Sequence, residues 1–233
     1  MKDTNSPEVP LLSFGAVIFD LDGVVVNTVP LHFAAWKKMF SEYGKSFDFE
    51  DYKRKVDGIP RTGGVRAILA DLSEEELLRA ATKKQSYFLE ELSKREVPVY
   101  DTTVDFIKQL RSAEKKIAII SSSRNCSMIL KRTGLYPLID VEVNGNDVKH
   151  GKPAPDIFLT ASSRLGIEPR GCIVAEDAVL GVKAAKSAGM FCVGIERHGD
   201  PARLKEANIM VKDAAEIDLA DLQKEYAAWT LRQ

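Results

Sequence analysis

The chain predicts an α/β fold: a Rossmann-like parallel sheet core with helices on both faces, plus an inserted all-α cap domain. Three observations predict it. Short β-branched runs alternate with amphipathic helical patterns, the signature of a parallel sheet covered on both sides. Between the first two of those runs lie about seventy residues with helical periodicity only, more than a single crossover needs. And 233 residues with 45% hydrophobic content are enough to bury a full core and a smaller second unit.

The strands are expected near residues 16–20, 117–121, 139–144, 172–175, 191–195 and 208–211. Gly134, Gly166 and Gly189 each follow a periodic stretch and read as helix stops. The helical insertion runs from about Val29 to Val99, with Phe33, Trp36, Phe40 and Tyr43, then Val65, Ile68 and Leu69, then Leu77, Leu78, Ala81, Phe88 and Leu92 at helical spacing. Ser73 with Glu76 three residues on is a capping box opening its last long helix. The division that follows is an α/β core from 1–28 and 100–233 and a cap from 29–99.

The densest chemistry is Phe19-Asp20-Leu21-Asp22-Gly23, which closes the apolar run Ala16-Val17-Ile18. Two carboxylates so close raise each other's pKa unless a cation or shared proton relieves them. A hard metal such as Mg2+, which takes oxygen ligands, answers that conflict. Gly23 permits a turn whose N–H groups approach an anion. Asp20 then fits a nucleophile and Asp22 a proton donor to a leaving oxygen. Taken alone, the five residues read equally well as an Asx-rich turn after a strand.

Three later segments shift that balance. Ile117 to Ile120 is an apolar strand ending in Ser121-Ser122-Ser123-Arg124-Asn125, with hydroxyls that can donate to phosphate oxygens. Lys152 sits in Gly151-Lys152-Pro153-Ala154-Pro155-Asp156, able to offset phosphate charge, and Cys172-Ile173-Val174-Ala175 ends in Glu176-Asp177. Each has an ordinary explanation by itself: a turn, a solvated loop charge, a helix N-terminus favoured by its dipole. Together, in this order and each at a strand's C-terminal end, they mark the edge where open α/β sheets bind ligands.

The four segments resemble the four motifs of the haloacid dehalogenase superfamily of aspartyl-phosphate enzymes, over essentially the whole chain. The resemblance implies that Asp20 attacks phosphorus, that Asp22 acts as general acid and base, and that Ser121 and Lys152 hold phosphoryl oxygens. It implies Mg2+ held by Asp177, the Asp20 carboxylate and the Asp22 backbone carbonyl, with Glu176 a ligand or a partner of one. An Asp at position 22 matches phosphatases and phosphomutases rather than ion-pumping ATPases.

Within the superfamily the chain is similar to the β-phosphoglucomutase-like branch. The residues are Asn27-Thr28, His32 and Trp36, then Gly58-Ile59-Pro60-Arg61, then Lys83 four residues before Tyr87, and Ser123-Arg124-Asn125. That likeness implies substrate contacts at Thr28, His32, Trp36, Gly58, Arg61 and Lys83, and a distal phosphate held by Arg61 with Ser123, Arg124 and Asn125. Asp57 departs from it, standing where that branch carries a lysine beside its cap hinge. Other readings stay open: Trp36 as core packing, His32 as a structural histidine, Lys83-Lys84 as a solvated helix face, and Ser123 and Asn125 as the start of the next helix.

The expected function is therefore Mg2+-dependent phosphoryl transfer on a small sugar phosphate through an aspartyl phosphate, mutase-like. The alternatives are a sugar-phosphate phosphatase with the same core and a non-catalytic phosphometabolite-binding module. A dehalogenase would leave Asp22 and the metal-type acids without work. A net charge of −1 supplies no basic field for nucleic acid. Cys126, Cys172 and Cys192 lack metal-ligand spacing and read as buried free thiols of a reducing compartment. The first twelve residues are too polar for a signal peptide, and no eighteen apolar residues run together. A soluble cytoplasmic monomer with a loose N-terminal tail, free of membrane and nucleic-acid partners, is expected.

Overall fold

The computed structural model describes residues 13–197 and 199–232, so the expected N-terminal tail lies outside the described residues. Six strands, β1 (Ala16–Asp20), β2 (Lys116–Ser121), β3 (Val141–Asn144), β4 (Cys172–Glu176), β5 (Phe191–Ile195) and β6 (Ile209–Val211), form one sheet in the order β3-β2-β1-β4-β5-β6. Every neighbouring pair is parallel. The third strand starts two residues later than expected, because Ile139 follows a short turn at Tyr136–Leu138.

Successive side chains on a strand point to opposite faces, and here both faces are buried. Val17, Phe19, Ile117, Ile119, Ile173 and Val193 pack on one side, whereas Ile18, Ala118, Ile120, Val174 and Cys192 pack on the other. The first face is covered by α5 (Asp101–Ser112), α6 (Cys126–Arg132) and α9 (Leu219–Thr230), through Phe106, Ile107, Ile129, Leu222 and Tyr226. The second is covered by α7 (Asp156–Leu165) and α8 (Val179–Ser187), through Ile157, Phe158, Val182 and Ala185. Gly166 ends α7 in the left-handed conformation, φ 68°, which satisfies the last carbonyls at no steric cost.

The insertion between β1 and β2 is a helical cap. It comprises α1 (Val29–Glu42), the short α2 (Phe49–Asp51) running into a π-helical turn at Tyr52–Val56, α3 (Arg61–Ile68) and α4 (Glu74–Ser93). Trp36, Met39, Phe40, Tyr52, Val65, Leu77 and Ala81 form a hydrophobic cluster of its own. The Ser73–Glu76 capping box is present at the start of α4. Two expectations change. Leu78 is 58% exposed rather than in the apolar stripe, and Phe88 and Leu92, at the far end of α4, belong to the sheet's cluster instead of the cap's.

The chain leaves and re-enters the core side by side. Val26 bridges Val99, the Asn27 amide donates to the Pro98 carbonyl at 2.8 Å, and the Tyr100 amide donates to the Val25 carbonyl at 3.0 Å. The two connections between core and cap therefore run as a hydrogen-bonded pair. Among the described residues no helix is long and apolar enough to cross a membrane.

Candidate active site

The sheet order reverses between β1 and β4, the switch point where open α/β sheets gather ligands at the strands' C-terminal ends. Asp20 ends β1 there, and Glu176 with Asp177 ends β4. Asp20 is 6% exposed; its Oδ2 accepts from the Asp22 amide at 2.8 Å and its Oδ1 lies 2.5 Å from Lys152 Nζ. Lys152 also donates to Glu176 Oε1, and Glu176 Oε2 accepts from the Ala178 amide at 2.8 Å. The lysine is thus held between two buried carboxylates. Burial opposes its charge, but Asp20 and Glu176 outweigh that and hold its pKa above the usual lysine range.

Two glycines make the packing possible. A Cβ on Gly23, whose φ is +94°, would lie 2.0 Å from Asp177 Oδ2, and one on Gly181 would lie 1.8 Å from Glu176 Oε1.

Asp22 turns away from Asp20 into a ring of donors. Ser121 Oγ donates to its Oδ2 at 2.6 Å, Thr28 Oγ1 donates to its Oδ1, and His32 Nε2 lies 3.3 Å from Oδ1. Burial would raise this carboxyl, yet the hydrogen bond from His32, with those of the Ser121 and Thr28 hydroxyls, holds its pKa below the ordinary range. Behind it, His32 Nδ1 lies 2.7 Å from Lys84 Nζ, and the imidazole stacks on Phe88 at 4.1 Å. An ammonium can only donate, so Nδ1 accepts and Nε2 carries the proton given to Asp22. Burial first, and Arg61 second, lower Lys84 from 10.5 to about 7.

Asp20, Asp22, His32, Trp36, Gly58, Arg61, Ser123, Glu176 and Asp177 line one cleft under the cap, together with Lys84, Asp57 and Tyr52. The space left is about 50 Å³, room for a few waters only. The cap is closed. Beside this cleft, Arg61 and Arg124 face a second cavity of about 130 Å³. Asn125 points elsewhere: its amide pairs with that of Gln85 on α4, at 2.7 and 3.3 Å, tying core to cap. Thr28, Ser121 and Lys152 stand behind the cleft wall, each on a carboxylate that lines it.

Lys83 requires a correction. It lies on the exposed face of α4, where it and Tyr87 bind Glu42, while the adjacent Lys84 is 2% exposed and faces the cleft. The reason is helical phase: Leu77, Ala81, Lys84, Phe88 and Leu92, spaced by four, three, four and four, make one buried stripe, and position 83 falls off it. That signal was in the sequence. Asp57, noted only as a departure, also enters the cleft; burial and then Glu176 push it up to about 7 against the pull of Arg203 and Lys152.

Among the described residues no three His, Cys, Asp or Glu side chains already form a metal cluster. Lys152 spans Asp20 and Glu176, and Asp22 presents its carboxylate to donors. The donor set nonetheless fits a hard cation. Asp177 is 4% exposed; burial, then the charges of Asp57, Glu176 and Asp20, push its pKa well up. Asp20 is pushed up by burial in the same way, despite Lys152. An excess of buried carboxylate oxygen is what Mg2+ relieves. The three cysteines are buried and free, with Cys172 raised to about 11 by burial.

A capped α/β sheet with acids, a lysine and arginines gathered at its switch point is the architecture of a phosphoryl-transfer enzyme. The chain belongs to the haloacid dehalogenase-like hydrolase family, whose sequence profile matches residues 14–189. It is 32% identical over 227 residues to a β-phosphoglucomutase of Bacillus subtilis (strain 168), covering 94% of this chain and 98% of that protein. It is 37% identical over 182 residues to a phosphorylated carbohydrates phosphatase of Thermotoga maritima, covering 75% and 82%. The crystal structure of a β-phosphoglucomutase from Clostridium difficile superposes with a TM-score of 0.86 at 30% identity, covering 94% of this chain and all of that one, 100%.

Proposed function

We propose that this protein transfers phosphoryl groups on a small phosphorylated sugar through an aspartyl phosphate at Asp20, in the manner of a β-phosphoglucomutase. The observation that carries this reading is the pair Arg61 and Arg124 across a cavity adjoining the Asp20 cleft. A second anion anchor serves a substrate or intermediate with two phosphates. Planar guanidinium groups suit it, since each can hold a phosphate through two parallel hydrogen bonds.

Asp20, Asp177 and the Asp22 carbonyl would hold Mg2+, which would neutralise phosphoryl oxygens when bound. Glu176 accepts from Lys152 and from the Ala178 amide and so keeps Lys152 in place. Lys152 offsets charge at the phosphoryl group, and Ser121 can turn its hydroxyl from Asp22 to a phosphoryl oxygen. The Asp20 oxygen attacks in line and Asp22 carries the proton to or from the sugar oxygen. Asp22 stands as a carboxylate under Thr28, Ser121 and His32, ready to take a proton from an incoming hydroxyl. That suits a cycle entered from the phosphorylated enzyme. The paired connections at residues 25–27 and 98–100 support dividing core from cap at 28 and 100.

A second reading, a sugar-phosphate phosphatase, has its own support in Asn125, which is bound to Gln85 rather than facing the second cavity. The deciding assay supplies Mg2+ and β-glucose 1-phosphate, with and without a trace of glucose 1,6-bisphosphate, and follows glucose 6-phosphate and free phosphate in parallel. Bisphosphate-dependent glucose 6-phosphate in excess supports the mutase. Free phosphate alone makes it a phosphatase, and no product from any sugar phosphate in a wider panel overturns both.

A further inference from the structure

The turn Pro201–Leu204, between β5 and β6, is fixed to the core by Leu204, which is fully buried. From it Arg203 reaches the cleft rim. Its Nη1 lies 3.2 Å from Glu196 Oε1, just past the end of β5, and its Nη2 lies 3.5 Å from Asp57 Oδ2 in the cap. All three side chains are nearly buried, at 10% exposure or less. One guanidinium therefore bridges a core carboxylate and a cap carboxylate, a task suited to its rigid fork and not to a lysine.

The segment that Asp57 begins is seated closely on the core. Ser122 Oγ donates to the Gly58 carbonyl at 2.7 Å. A Cβ on Gly58 would come within 3.1 Å of Ala178, and one on Gly151 within 2.3 Å of Pro60. Arg61 follows at once as the first residue of α3. Whatever fixes Asp57 fixes Arg61.

We propose that Arg203 is a positioning residue, which through its ion pair with Asp57 pins the 57–61 segment over the cleft and sets where Arg61 meets the substrate's anionic group. This rests on reading the cleft as a sugar-phosphate site. The pair also gives Asp57 its work: an acid here is tolerated because a core arginine answers it, and the cap is held shut by charge contributed from both sides. The cost of losing it falls on substrate capture rather than on the reacting groups, none of which Arg203 touches.

The test uses the full-length protein with Arg203→Met, Arg203→Lys, Asp57→Asn and the double variant Asp57→Asn/Arg203→Met. Steady-state kinetics are measured on whichever sugar phosphate the wild type turns over. Hydrogen exchange is followed in peptides covering residues 57–61. Arg203→Met is expected to raise KM about tenfold, with kcat within about twofold, since a displaced anchor costs binding geometry. Exchange at 57–61 should speed up, Arg203→Lys should recover only part of both effects, and the double variant should be no worse than Arg203→Met. An unchanged KM with unchanged exchange overturns the proposal. So does a fall in kcat alone, which reports lost folded protein. If the wild type turns over no sugar phosphate, the substrate reading fails, and the exchange measurement still decides the pin.

Discussion

Lys84 is a buried cation that costs stability, and replacing it with Met exposes that cost in a pH-dependent way. Its folded pKa is about 7 against 10.5 for an ordinary lysine. Between those values the unfolded chain binds more protons than the folded one, so this group makes stability rise with pH from about 7 to 10.5. At about 1.4 kcal/mol per pH unit, the cost at neutral pH is about 5 kcal/mol. The Trp36 and Phe88 rings, 5.0 and 5.1 Å from the ammonium, return about 2 kcal/mol between them. Met would fill the space but leave His32 Nδ1 without a donor, a loss of about 1 kcal/mol. Lys84→Met should therefore be about 2 kcal/mol more stable than wild type at pH 7, and that advantage should shrink to about zero near pH 10, where the folded lysine is neutral and the unfolded one nearly so. Urea unfolding of both proteins at the two pH values reads the difference, since titrations away from Lys84 and its neighbour His32 are common to both. A variant destabilised equally at pH 7 and pH 10 would refute a buried, charge-strained Lys84. The same variant should lose activity even where it gains stability, because His32 then has no partner fixing which nitrogen donates to Asp22.

Asp20→Asn should reduce Mg2+-dependent turnover of any phosphomonoester by about 10³-fold or more while leaving the unfolding midpoint near that of wild type, as removal of a nucleophile does. Arg124→Ala should raise KM for a sugar phosphate about tenfold, the scale of a lost charged hydrogen bond, and spare p-nitrophenyl phosphate; equal losses on both would count against a second anion anchor. Gly181→Ala should lower Tm despite the ordinary helix preference for alanine of about 1 kcal/mol, because the new methyl would displace the Glu176 carboxylate; a raised Tm would show that Glu176 has room to move. Removing Mg2+ with a chelator should abolish turnover, and thermal unfolding with and without the ion should show added stability from relief of the Asp20–Asp177 repulsion.

The sheet was legible because its strands are buried on both faces and so read as unbroken β-branched runs. Asp20, Asp22, Glu176 and Asp177 were legible because each stands at or just beyond such a run, Lys152 because its loop follows the third strand and precedes a helix, and the fold brings them to one edge. What failed was phase and distance. The family likeness at Lys83, four residues before Tyr87, points to the exposed lysine, whereas the apolar stripe through Leu77 and Phe88 points to Lys84. Asn125 sits in the right loop, but whether its amide faces a ligand or Gln85 depends on how the cap lands. Arg203 and Asp57 are 146 positions apart, and only the closed cap makes them neighbours. Leu78 fits the helical spacing but is exposed because its helix buries one narrow face.

The helix α4 belongs to two bodies at once. Its start packs among the cap's own apolar residues, while Phe88 and Leu92 are set in the sheet's cluster. Twenty residues long, it extends about 30 Å, and Leu77 lies about 16 Å up the rod from Phe88. It behaves as a lever with its fulcrum in the core. A tilt of about 10° at the fulcrum sweeps the Leu77 end through about 3 Å, and α3, packed there through Val65, travels with it. That sweep is about the length of one hydrogen bond. A modest loosening around Phe88, far from any reacting atom, is thereby geared up into Arg61 reaching its anion or missing it.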